Sequence, residues 1–189
     1  MEPIIAKVLL EVISDNMNLM FHKKPTPGST VEKALRPDFE NDYMCMISLA
    51  NQKYQGQMVV GFPKNVADDM LKDVMQLASS KEEAALLLKA SLGELLNTAA
   101  GTFAQKKPLL DTYDSLDLST PSVYEKSEVP FFCKSEGLIG QLTYFTGEVL
   151  NCYISISPYL SLEKSDDEED FDIGSFLDGD DLDDLLNGL

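Results

Sequence analysis

SKEEAALLLKASLGELLNTAAGTFAQKKP, residues 80–108, reads as one long helix with a marked start and a marked stop. Ser80-x-x-Glu83 is a capping box ahead of an apolar run, and Pro108 cannot continue a helix, so the element is expected from Ser80 to about Lys106. With successive residues about 100° apart, Ala85, Leu88, Leu92, Leu95, Ala99 and Phe103 share one side, which must be the buried one. Glu83, Ala90, Glu94, Asn97 and Gly101 fall on the opposite side, with Gly93 at its edge. A solvated face ordinarily carries Lys, Glu and Gln. Here Ala and Gly surround one carboxylate and one carboxamide. A mid-helix Gly costs roughly 1 kcal/mol relative to Ala, so the helix alone gives no reason for it. Small residues at Ala90, Gly93 and Gly101 would let another surface approach and be met only by Glu94 and Asn97. By spacing alone the pair also reads as ordinary polar-face residues, with the glycines answering to packing.

The flanks set the architecture. Pro3 can open a first helix, in which Ile4, Ile5, Val8, Leu9, Val12 and Ile13 recur at helical spacing to about Leu19. KKPTPGST, with two prolines and a glycine, breaks it. Residues 43–50 and 54–62 read as two strands of a hairpin, and Pro63 starts a second helix to about Gln76. After Pro108, the segments around 113–120, 128–135, 138–146 and 148–157 are rich in β-branched and aromatic residues, with a turn at Thr146-Gly147. The order predicts an α+β domain, a largely antiparallel sheet with helices packed on it, over residues 1–162.

Charge divides the chain at that boundary. Of the formal net charge of −17, residues 163–189 supply most, with twelve acidic residues and one lysine. No basic stripe is present to bind phosphates, which excludes nucleic acid as a partner. No segment is long enough to cross a bilayer, which excludes a membrane span. Cys45, Cys133 and Cys152 are an odd set in apolar contexts, as expected for buried free thiols in a reducing, cytoplasmic setting. The single histidine, His22, sits in a predicted loop and leaves no basis for a Ser-His or Cys-His mechanism, and a metal site would have to rely on carboxylates; none is expected.

ELLNTAAG, residues 94–101, fits the Glu-x-x-Asn-x-x-x-Gly helix of the CheC/CheX/FliY chemotaxis phosphatases. VVGFP at 59–63 and LSTPSV at 118–123 also resemble that family, and a single motif copy is more similar to CheX than to CheC. The resemblance implies a phosphatase, a hydrolase of the aspartyl phosphate on a CheY-type response regulator in two-component chemotaxis signalling. Glu94 and Asn97 would be its catalytic residues, and Ala90, Gly93 and Gly101 its docking face. It implies no cofactor of the chain's own, Mg2+ carried by the regulator, and a homodimer built through the sheet. Ala90 stands where the family often has Ser or Asp, which keeps open a non-catalytic adapter of the same fold that binds a regulator or flagellar switch component.

Residues 163–180 read as an acidic flexible linker. In DDLDDLLNGL, Leu182, Leu185, Leu186 and Leu189 form one stripe of a short helix at 181–189, marginal alone and suited to a partner's groove. The segment is similar to the CheY-binding peptide of CheZ and more loosely to that of FliM, which implies docking to the same regulator.

Overall fold

In the computed structural model, which describes residues 2–34, 41–126 and 136–159, Pro3 opens helix α1, Pro3–Phe21. Its buried stripe runs through Ile5, Leu9, Val12, Ile13 and Met17. The helix ends at His22, exposed and left-handed at φ 56°, whose amide donates to the Asn18 carbonyl at 3.0 Å. The expected break is therefore shorter than the KKPTPGST stretch. Strand β1, Thr26–Ala34, begins inside it and was not foreseen. An edge strand tolerates Pro27 because one side of its backbone needs no ladder partner. A register shift between Pro27 and Val31 and a largely exposed surface also erase the alternation that marks a strand.

The hairpin forms as expected from β2, Tyr43–Ala50, and β3, Tyr54–Phe62, with Tyr43 opposite Phe62 and Ala50 opposite Gln55. Asn51 builds the turn: its side-chain oxygen accepts from the amides of Lys53 and Tyr54 at 2.8 and 2.9 Å. The next helical segment is split into α2, Lys64–Met70, and α3, Lys72–Met75, where Leu71 leaves helical geometry. Helix α4, Lys81–Ala104, follows the capping box. Ser80 Oγ accepts from the Glu83 amide at 3.1 Å, while the Glu83 carboxylate reaches back to the Ser79 amide rather than to Ser80. Pro108 does not merely end α4. It sits in the first turn of α5, Lys107–Tyr113, the position where a missing N–H costs nothing. Residue 113 therefore closes a helix, and only β4, Asp117–Leu118, lies in that predicted strand.

Strands β5, Ser122–Glu125, β6, Gly137–Thr143, and β7, Val149–Pro158, complete the fold. Gly147, at φ 100°, makes the expected β6–β7 turn. The predicted strand around 128–135 lies outside the described residues. All pairings are antiparallel, in the order β1-β6-β7-β3-β2-β4, with β5 also pairing with β2. The fold is therefore the α+β class expected, with a seven-stranded sheet among the described residues.

The period of two in the strands divides the sheet's faces. Cys45, Ile47, Met58, Val60, Phe62, Leu150 and Ile154 join the main core with α1 and α4. Met44, Val59 and Tyr153 form a smaller buried cluster on the other face. Helix α1 packs over β1, β6 and β7, and α4 over β2 and β5. Gly140 matters to this layer, because a Cβ there would lie 2.8 Å from Leu10 Cδ1 and hold α1 off β6. The compact unit spans Met1–Tyr159. The linker at 163–180, the peptide at 181–189 with Leu182, Leu185, Leu186 and Leu189, and Cys133 all lie outside the described residues.

Candidate functional site

Helix α4 is rotated by its core contacts. Leu88, Leu92, Leu95, Ala99 and Phe103 are all buried, each no more than 3% exposed, and Leu96 and Ala100 are buried beside them. Ala85, expected on that face, is exposed instead. The reason is length: at 24 residues and about 1.5 Å per residue α4 outruns the layer beneath it, and continuous burial begins only at Leu88.

The opposite face is set by default. Ala90, Glu94 and Asn97 are exposed and Gly101 is half-exposed, with open space where its Cβ would be. Glu94 and Asn97, three residues apart, share one side of the helix as neighbours. Thr98 Oγ1 donates to Glu94 Oε1 across 3.4 Å, a long contact that leaves the carboxylate available. The Asn97 carboxamide has no hydrogen-bond partner among the described residues. In chemical terms the strip offers a fixed anion and, one turn on, a group that can donate and accept together.

Gly93 departs from the docking face on which it was expected. It is buried, because the segment leading into β5 lies against that turn of α4: a Cβ on Gly93 would sit 3.7 Å from Val123 Cγ2 and 3.9 Å from Pro121 Cγ. This glycine answers to packing. Lys89, one turn earlier, pairs with Glu125 of β5 at 3.2 Å and helps hold the segment beside the strip. Thr98, Pro121, Val123 and Glu125 thus border the site; Thr98 lies inside ELLNTAAG and Pro121 and Val123 inside LSTPSV, but the sequence assigned none of the four a place at the site. The last three lie about thirty residues further along the chain, and only the sheet pairing of β5 with β2 brings them to α4.

Other chemistry has little to stand on. Cys45 and Cys152 are fully buried in the sheet, and burial pushes both thiols well above their ordinary range. Among the described residues no cluster of His, Cys, Asp and Glu is arranged to hold a metal ion, and no helix is long and apolar enough to cross a membrane.

The family described as chemotaxis phosphatase CheX matches residues 43–139, just over half of the chain and all of α4. The chain belongs to the CheX family. Solved structures described as CheX or CheC-like share its architecture at low identity. A CheC-like superfamily protein from Shewanella sp. PV-4 is 16% identical, with a TM-score of 0.66 over 83% of this chain and 99% of that one. The chemotaxis protein CheX from Desulfovibrio desulfuricans is 19% identical, with a TM-score of 0.65 over 81% of this chain and 99% of that one. CheX in the CheX–CheY–BeF3–Mg2+ complex from Borrelia burgdorferi is 18% identical, with a TM-score of 0.61 over 80% and 96% of the two chains. No curated protein matches the chain in sequence.

Proposed function

We propose that the protein is an aspartyl-phosphate phosphatase acting on a CheY-type response regulator, with Asn97 orienting the attacking water and Glu94 pairing with the regulator's active-site lysine. One observation carries this reading: an exposed carboxamide, without a hydrogen-bond partner among the described residues, beside an exposed carboxylate, with only the small Ala90 and Gly101 one turn to either side.

The chemistry asks little more of this chain. An acyl phosphate is already activated, and the regulator brings its own Mg2+ and phosphate-binding groups. What it lacks is a water held in line with the phosphorus. Phosphoryl transfer depends chiefly on positioning and electrostatics. The Asn97 oxygen would accept a hydrogen bond from that water, while its N–H donates to a phosphoryl oxygen. Glu94 would fix the approach through a charge-assisted hydrogen bond. Neither residue has to gain or lose a proton in this scheme.

The tail belongs to the same reading. Residues 181–189 would dock on the regulator through Leu182, Leu185, Leu186 and Leu189, and the acidic linker would keep the regulator near α4. Such tethering can raise the local concentration to about millimolar.

The test is the rate of phosphate loss from the receiver with full-length protein, Asn97→Ala and a chain lacking residues 165–189. Asn97→Ala should lower kcat on the order of 100-fold or more with the fold and docking intact. Deleting the tail should raise KM about tenfold and leave kcat nearly unchanged. Wild-type activity in Asn97→Ala would overturn the assignment, and an unchanged KM would remove the tether.

A second reading, the non-catalytic adapter, has one feature in its favour. Ala90 gives no hydrogen-bonding side chain one turn before Glu94. Binding of a BeF3-loaded receiver without accelerated phosphate loss by the wild-type chain would select it.

A further inference from the structure

We infer that Leu86 is an apolar anchor for the receiver domain, extending the contact made by Glu94 and Asn97 toward the start of α4. The inference rests on the proposed function and names what the receiver must offer: an apolar patch beside its phosphorylation pocket.

Leu86 is 69% exposed, the one large apolar side chain of α4 so placed among the described residues. It is not placed at random around the helix. At about 100° per residue, Leu86, Ala90, Glu94, Asn97 and Gly101 fall within about 80° of arc, a single straight strip. Along the axis Leu86 lies about 14 Å from the midpoint of Glu94 and Asn97, at about 1.5 Å per residue.

Size then makes the contact hard to avoid. A stable interface covers about 800 Å² on each partner, a disc of about 16 Å radius. A receiver seated on Glu94 and Asn97 with such a footprint reaches Leu86, and Ala90 between them presents nothing taller than a methyl group. A partner that met Leu86 with charged or strongly hydrated groups would desolvate them without return.

Exposed apolar residues elsewhere lack this alignment. Phe145, 64% exposed, is already engaged by Lys23 at 5.0 Å and by the Tyr144 ring. Leu110 belongs to α5, off the strip. Leu86 also lies in the part of α4 that precedes its core contacts, so the domain's own packing does not require it.

The experiment compares wild type, Leu86→Asp, Leu86→Met and Asn97→Ala. It measures binding to the source organism's CheY-type receivers loaded with BeF3 and Mg2+, and turnover of the phosphorylated receiver. Leu86→Asp should weaken binding and raise KM about tenfold or more, with kcat at saturation unchanged. Leu86→Met should restore wild-type affinity, as an apolar contact requires and a structural effect of charge does not. Unchanged binding by Leu86→Asp, where wild type binds and Asn97→Ala loses turnover, overturns the anchor and leaves the proposed function standing. Failure of wild type to bind any receiver overturns both.

Discussion

At Gly93, α4 passes beside the segment entering β5, and a Cβ would sit 3.7 Å from Val123; at Gly101, two turns on, a Cβ would meet nothing within 4 Å. One helix therefore carries two glycines with different causes. The first lies where the chain returns to the helix, and its smallness is used inside the fold. The second faces outward, where the fold makes no demand. A mid-helix glycine is therefore no sign of docking by itself, and the open one is the better witness for an outside partner.

The comparison can be broken most decisively through the buried side of the same turns. Phe103 is fully buried two residues past Gly101. Phe103→Ala should cost about 3–5 kcal/mol of stability by urea denaturation. A loss of less than about 1 kcal/mol would mean that α4 is rotated differently from the structure. The outward strip would then be misplaced along with it.

The β5 contact is the next target. Gly93→Leu must push against Val123 and Pro121, and overpacking of that kind should cost about 1–3 kcal/mol. Gly93→Ala places its methyl at ordinary contact distance and should be neutral or stabilising by up to about 1 kcal/mol. Equal stability of the Leu and Ala variants would show that β5 does not press on α4 in solution.

The rotation of α4 was legible because Leu88, Leu92, Leu95, Ala99 and Phe103 repeat at a period the backbone enforces. The same period put Glu94 and Asn97 on the outer side. What it could not provide was the neighbour of Gly93. Pro121 and Val123 reach α4 only through the pairing of β5 with β2, a contact between segments about eighty residues apart. Strand β1 escaped notice for another reason. None of its residues is fully buried, so hydrophobicity does not alternate along it, and its proline and glycine read as a break. Pro108 misled in the opposite direction, since the residue that cannot extend one helix is well suited to begin another. In each case the local signal was real, and the element's place in the sheet or helix decided its meaning.

The smallest effect discriminates most finely. Gly101→Ala removes backbone freedom from the unfolded chain and adds a methyl to empty space, so it should raise stability by about 0.5–1 kcal/mol. A glycine kept only by chance would give that gain with no cost in activity. A glycine kept low for a partner would give the same gain together with a few-fold rise in KM, because the methyl stands one turn from Asn97 on the strip that must meet the regulator. Stability from urea titration and KM from phosphate release, measured on this one variant, separate the two causes. A gain in stability with KM unmoved would leave Gly101 outside the docking face and confine that face to the turns between Leu86 and Asn97.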